Sequence, residues 1–218
     1  MRRSPIPIRP MKISAPKELD RYFEQTEHAV RHLYSGLEAC RQHWQDAQKY
    51  WNPSLLSEPM SEQQMDGVMK YVEVAGKYFD LMFSQATYAG SILQVAHIAV
   101  RLYSRNTSIP QCCADLLPKN SRKVAPFCIG PLVHGVPIGL IVYAGRNQYN
   151  HWDDDEPHAI TTNVFNALTA AFKDVWWADL SFDLSNQGIN VYSLEILQTA
   201  LQWNSYDEYL SGVKSLWA

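Results

Sequence analysis

Six consecutive residues, Arg146-Asn147-Gln148-Tyr149-Asn150-His151, contain the side-chain types that phosphodiester cleavage requires. Histidine titrates near neutral pH and can transfer protons, whereas arginine keeps its charge and offers a planar fork of donors to phosphate oxygens. An amide such as that of Asn147 can hold a ribose or a phosphate. This six-residue motif therefore predicts a site that acts on nucleic acid, most simply on RNA.

The combination of these residue types at this spacing is expected only rarely by chance. Ten arginines and seven histidines in 218 residues give a chance expectation of about 0.3 for an arginine followed five positions later by a histidine. Requiring Asn, Asp or His directly after the arginine lowers that expectation to roughly 0.04. Only Arg146 meets the full pattern.

Composition excludes several classes of protein. The net charge of -3 and the pI near 6.1 argue against a protein that coats nucleic acid by bulk electrostatics, which requires many clustered cations. The four cysteines have no Cys-x-x-Cys spacing and no secretory signal before them, which predicts neither a disulfide framework nor a zinc site. No uninterrupted apolar run approaches the ~20 residues of a membrane span. We therefore expect a cytoplasmic protein with no membrane contact and no cofactor, whose many tryptophans and tyrosines favour a second copy as partner.

The elements that position the motif are predicted to be long helices. Apolar residues at alternating steps of four and three predict a first helix over Leu19–Trp51. A capping box at Ser61-Glu62-Gln63-Gln64 begins a second helix that is expected to reach Ser104, with a kink near Gly90. A third helix, carrying the motif, is expected from Pro137 to about Trp152.

The rest of the chain predicts shorter elements. A further helix follows the acidic stretch that ends at Pro157, and its apolar face continues to Val175. A short strand is expected over Leu180–Leu184, followed by helices over Val191–Trp203 and Tyr206–Leu216.

These elements predict an all-α fold: an antiparallel up-and-down helical bundle with long helices and a short irregular C-terminal extension. Residues 1–13 are expected to form a flexible arm, residues 14–178 the helical bundle that carries the motif, and residues 179–218 a C-terminal helical extension of the same domain.

Helical geometry gathers the polar groups of the motif. With Arg146 at zero on a helical projection, Asn150 falls at roughly 40°, Asn147 at roughly 100° and His151 at roughly 140°. Metal-independent cleavage of RNA needs proton transfer at the 2′-hydroxyl and at the leaving 5′-oxygen, and a cation on the phosphoryl oxygens. We assign the protons to His151, the phosphate to Arg146 and substrate positioning to Asn147. One motif supplies one histidine, so separate acid and base histidines would require a second copy, most simply from a symmetric dimer.

Additional substrate contacts are predicted outside the catalytic trio. Lys119, Arg122 and Lys123 form the best local cluster of cations in the chain, within a loop rich in proline. Together with Asn150 they are expected to bind the RNA.

Arg146, Asn147 and His151 resemble, position by position, the signature of the HEPN superfamily of helical proteins: Arg, a polar residue, three variable residues and His. The resemblance implies an up-and-down bundle, a dimer that brings two motifs into a shared cleft, and metal-independent endoribonuclease activity. Many members act as toxins or in defence against invaders, often beside a nucleotidyltransferase-like antitoxin.

Other interpretations of the same residues remain open. Arg146 would instead pair with a carboxylate such as Asp153 or Asp155 while His151 caps a helix end. The segment from His151 to His158, which includes four consecutive acidic residues, holds enough ligand atoms for a divalent metal. The alternative function is that of a non-catalytic helical interaction protein, or a scaffold that binds RNA or a nucleotide. His97, on the second helix, is interpreted as a packed core histidine.

Overall fold

Helices dominate the computed structural model of the chain, which describes residues 15–51, 61–119, 121–154, 158–173, 182–186 and 192–217. The all-α prediction is confirmed: long helices pack as an antiparallel up-and-down bundle beside one very small hairpin. The α-helices are α1 (Ala15–Gln48), α2 (Glu62–Asp80), α3 (Met82–Tyr103), α4 (Gln111–Ala114), α5 (Ile138–Asn150), α6 (Ala159–Phe172), α7 (Ser193–Glu195) and α8 (Tyr206–Lys214). Two 3-10 helices span Arg122–Phe127 and Ser215–Trp217, α7 continues as a π-helix over Ile196–Ala200, and strands β1 (Leu132–Val133) and β2 (Val136–Pro137) form the hairpin.

Helix α1 forms one wall, and α2 and α3 run back along it. The hydroxyl of Tyr22, near its start, donates to the carbonyl of Val95 on α3 at 2.8 Å. Near its end, the rings of Trp44 and of Tyr78 on α2 lie 5.5 Å apart. The predicted capping box is confirmed, because Ser61 Oγ accepts from the Gln64 amide while the side chain of Gln64 accepts from the Ser61 amide.

The predicted second helix is two helices, and the break between them is not at Gly90, where a kink was predicted. The break lies at Leu81, where the backbone (φ -93°, ψ 7°) leaves the helical range and separates α2 from α3. Gly90 lies within α3 directly against the ring of Tyr149 on α5, where any side chain would collide with that ring. Glycine at this position therefore permits close packing of two helices instead of bending one.

A tight hairpin leads into helix α5. Its start follows the hairpin, whose turn residues His134 and Gly135 both have positive φ (48° and 84°), as a two-residue hairpin turn of type I′ requires. The strands are only two residues long, too short to show an alternating pattern, which is why the sequence did not predict them. Pro137 is the N-cap of α5, so the predicted start of this helix is confirmed within one residue.

The C-terminal elements belong to the same hydrophobic core as the long helices. The hydroxyl of Tyr34 on α1 donates to the carbonyl of Trp203 at 3.0 Å, and Trp203 is almost fully buried. The predicted strand was wrong over its described residues, because 182–184 are not extended.

Several predictions fall on residues outside the described ranges, namely the arm 1–13, residues 174–181 and residues 187–191. No helix among the described residues is long and apolar enough to cross a lipid bilayer.

Replacing Gly90 with alanine is expected to lower the free energy of unfolding by roughly 1–3 kcal/mol, because the new methyl group collides with the ring of Tyr149. Gly76 on α2 is a matched control, since nothing lies within 4 Å of the position that a Cβ would take. Gly76→Ala should raise stability by up to about 1 kcal/mol through helix propensity. Urea unfolding curves measure both values, and equal effects would contradict the proposed packing.

Burial raises the pKa of the Glu195 carboxyl on α7 to about 7, and its Oε2 has no hydrogen-bond partner among the residues that the structure describes. Because the folded state binds this proton more tightly than the unfolded state, stability is greatest below the ordinary glutamate range and falls as the pH rises through about 7. Between pH 5 and pH 8, the free energy of unfolding of the wild type should fall by up to roughly 3 kcal/mol relative to that of Glu195→Gln. Urea unfolding curves at each pH measure this difference.

Glu73→Gln is the control for this pH dependence. Glu73 is exposed, and its hydrogen bond from Lys70 lowers its pKa. Its contribution therefore develops at lower pH and with the opposite sign. A pH profile of the Glu195→Gln protein that parallels that of the wild type would exclude the buried proton.

Candidate active site

Arg146 is partly buried between α5 and α3, where its guanidinium donates hydrogen bonds to neutral amides. Its Nε donates to Oε1 of Gln94 at 2.7 Å, and its Nη1 donates to Oδ1 of Asn147 at 3.1 Å. With its amide oxygen turned towards the guanidinium, Asn150 accepts from Nε at 2.7 Å and from Nη2 at 3.0 Å. The opposite amide orientation would place NH₂ against donors. Three amide oxygens therefore fix the position of the cation.

No described carboxylate neutralises this charge. The ion pairs among the described residues do not include Arg146. Burial lowers its pKa, Tyr143 opposes that shift, and the like charge of Arg101 on α3 adds to it. The interpretation in which Arg146 pairs with Asp153 is therefore wrong, and Asp155 lies outside the described residues. A positive charge held only by neutral acceptors favours an anionic ligand.

His151 lies at the point where α5 ends. It is the C-cap, with φ -132° and ψ 32°, so the helical projection applies up to Asn150 and not to the histidine itself. Its Nδ1 lies 3.0 Å from Oδ2 of Asp154, three residues later, and the two side chains are about half exposed. The ring of His158, just before α6, lies 5.3 Å away at 84° to that of His151.

Asn147 connects the two parts of the motif. Its side chain is 7% exposed and accepts from Arg146, while its main-chain carbonyl accepts from the amide of His151 at 3.0 Å. The amide oxygen of Asn147 holds the arginine, and the substrate contact expected of this residue stays a prediction. Asn150 is exposed beside it. No hydrogen bond or ion pair in the described part of the chain joins Arg146 directly to His151.

His97 is a core residue, as predicted. It is 6% exposed and stacks on Phe127, with ring centroids 4.7 Å apart at 26°. Burial, together with the nearby charges of Arg146 and Arg101, lowers its pKa to about 4, so the ring is neutral at pH 7. It therefore contributes packing beside the arginine and adds no positive charge.

The predicted basic cluster is exposed but separate from the motif. Lys119, Arg122 and Lys123 are exposed and form no ion pair with a described carboxylate. Lys119 and Arg122 line one shallow groove of about 320 Å³ with Ile109 and Leu117. No contact in the described part of the chain joins this groove to Arg146, so the cluster's part in substrate binding stays a prediction.

The alternative metal site does not form among the residues that the structure describes, where no three histidine, cysteine or acidic side chains converge. Asp155 and Glu156, which belong to that alternative, lie outside those residues.

Two contacts of the site were missed in the sequence. Gln94 lies 52 residues before Arg146, and no pattern in the chain connects them. Asp154 lies three residues after His151, and that spacing was a usable signal, since a carboxylate so placed can fix the orientation of an imidazole. The acidic run drew attention to metal binding instead.

Comparison of the chain with models of known families, with curated proteins and with solved structures finds no match.

Proposed function

We propose that this protein is a metal-independent endoribonuclease of the HEPN type. The observation that carries the proposal is the uncompensated charge of Arg146, which three amide oxygens hold in place and no described carboxylate neutralises. His151, half exposed and oriented by Asp154, lies at the C-cap of the helix that carries Arg146. A fixed cation and a neighbouring imidazole are the groups that cleavage of a phosphodiester next to a 2′-hydroxyl requires.

The reaction follows from these groups. The 2′-oxygen loses its proton to an imidazole and attacks phosphorus, forming a 2′,3′-cyclic phosphate, while the 5′-oxygen leaves as a hydroxyl after accepting a proton. Arg146 stabilises the charge that develops on the phosphoryl oxygens, and His151 moves a proton. Asn147 holds the arginine and positions the substrate, and the exposed Asn150 contacts it, while Lys119, Arg122 and Lys123 bind more distant phosphates.

The biological setting is proposed on the same basis. The protein acts in the cytoplasm as a toxin or defence effector, as a homodimer, and an antitoxin protein restrains it. These roles follow from the family resemblance of the motif.

Replacing His151 with alanine should reduce cleavage of single-stranded RNA in EDTA by about 10²- to 10⁴-fold, because the proton-transfer group is lost. Arg146→Ala should reduce it by about 10²- to 10³-fold. Arg41→Ala, at an exposed ion pair with Glu38 on α1, is the matched control and should leave the rate unchanged. Activity that survives His151→Ala, or that EDTA abolishes, would reject the mechanism.

The second candidate function, a helical interaction protein, is favoured by an exposed apolar stripe on α2 and the start of α3. It consists of Met65, Met69, Val72, Phe79 and Phe83, which are between 47% and 62% exposed. Gly76 occupies the intervening position, with open space around it. These steps of four and three repeat every seven residues, which is the spacing of a helix that packs against another helix.

The size of the stripe suits a stable interface. With Met82 and Trp152, seven large side chains each expose on the order of 100 Å², close to the ~800 Å² per partner of a standard interface. The ring of Phe83 also lies 6.0 Å from that of Trp152, the residue after His151, so the stripe reaches the motif. We propose that a second copy of the chain covers this stripe.

Met69→Glu should convert a dimer into a 24.9 kDa monomer in light scattering, because it places a charge in the apolar seam. Gln63→Glu introduces the same charge about 160° round the helix from the stripe and should leave the dimer intact. A dimer that persists in Met69→Glu would show that another surface joins the copies. A wild type that is already monomeric would leave the stripe to a different partner and favour the interaction protein.

A further inference from the structure

We infer that His158 supplies the second imidazole of the cleavage reaction from within the same chain. The inference rests on the proposed ribonuclease function and changes where its acid and base come from. His158 lies outside the six-residue motif, yet its ring is 5.3 Å from that of His151 and nearly perpendicular to it. The connection between α5 and α6 thus places two imidazoles beside each other at the end of the arginine-bearing helix.

The described part of the chain shows no structural role for the ring of His158. It occupies the N-cap of α6, but its side chain makes no capping hydrogen bond; its main-chain carbonyl accepts from the Thr162 amide at 3.0 Å instead. The residue is exposed, so the ring does not fill the core. Because the His158 side chain is exposed and makes no capping hydrogen bond, it can change rotamer. The distance between the two rings can then increase when a phosphoryl group binds between them.

Asp154 fixes the tautomer and the orientation of the His151 ring. A proton on Nδ1 of His151 donates to the carboxylate 3.0 Å away, which leaves Nε2 as the nitrogen that faces substrate. Asp154 is accordingly a positioning residue. Asn147 then ties this pair to Arg146, because it bonds to the arginine through its side chain and to His151 through its main chain.

The two proton transfers balance across the pair. One imidazole is neutral and takes the 2′-hydroxyl proton as the O2′–P bond forms. The other is an imidazolium and gives its proton to the 5′-oxygen as the P–O5′ bond breaks. The protonation states are then exchanged, and hydrolysis of the cyclic phosphate or proton exchange with water restores them. A single protomer therefore carries both the acid and the base, and a dimer is not required to supply the second histidine.

A chemically activated leaving group tests this assignment. Two short RNAs are compared, one ordinary and one with sulfur in place of the bridging 5′-oxygen at the scissile bond, because a thiolate leaves without protonation. His158→Ala and His151→Ala should each slow cleavage of the ordinary RNA by about 10²- to 10⁴-fold. On the sulfur-containing RNA, only the variant that has lost the acid should recover a rate close to that of the wild type. Circular dichroism melting curves confirm that both variants fold.

His32→Ala is the matched control. His28 and His32 on α1 form another exposed imidazole pair, with ring centroids 5.4 Å apart, and have no contact with Arg146. Removing the His32 ring should change neither the cleavage rate of the ordinary RNA nor that of the sulfur-containing RNA. If His158→Ala cleaves ordinary RNA at the wild-type rate while His151→Ala does not, the inference fails and the ribonuclease function stands. If the sulfur substrate rescues both variants or neither, His158 is not half of an acid–base pair. If the wild type cleaves no RNA, the proposed function fails first and the inference with it.

Mixed dimers locate the pair within one chain. Differently tagged His151→Ala and His158→Ala chains are co-expressed and purified together, and cleavage of ordinary RNA is measured. A pair within each chain predicts that the mixed species stays as inactive as its parents, since every chain lacks one imidazole. Recovery to about a quarter or more of the wild-type rate would place the two histidines on different chains and overturn the inference.

Discussion

The close antiparallel packing of α5 on α3 is the constraint on which the candidate site depends. Gly90 lets the ring of Tyr149 lie directly on α3, and Gly145 faces the side chains of Leu93 and Ile196 at a distance that leaves no room for a larger residue. Side chains at this interface must be small or flat because the helix backbones are so close. The same approach buries part of Arg146 and brings it within hydrogen-bond distance of Gln94, so a packing requirement also fixes a charged group.

The chemistry of the site follows from an imbalance of charge at that interface. Partial burial disfavours the charged guanidinium, as its lowered pKa records, and hydrogen bonds to three amide oxygens offset that cost without adding a negative charge. A carboxylate partner would stabilise the arginine more strongly but would also compete with a phosphate. The arrangement therefore holds the arginine rigidly while leaving its charge available, as a group that stabilises a transition state must be.

The end of α5 is equally important, because it takes His151 off the helix. As a C-cap, the histidine lies 3.0 Å from the carboxylate of Asp154 and beside the ring of His158, which precedes α6. Asn147 accepts a hydrogen bond from each of the two residues, so it connects the arginine and histidine environments. The exposed stripe on α2 lies beside this region through the contact between Phe83 and Trp152, and this contact links any partner on the stripe to the site.

Local signals in the sequence determined the elements: the heptad seam of α1, the capping box at Ser61 and the start of α5 after Pro137 all depend on residues a few positions apart. The sequence likewise picked out Arg146 and His151 by type and spacing.

Tertiary structure alone decided that Leu81 breaks the second helix, that Gly90 serves packing, and that the apolar stripe on α2 faces outwards while Val74 and Ala75 face α1. It also decided that Gln94 and the two amides of the motif hold the arginine and that His158 approaches His151. Helix periodicity reveals which residues share a face, but not which face meets another helix, because that choice depends on contacts between residues far apart in the chain.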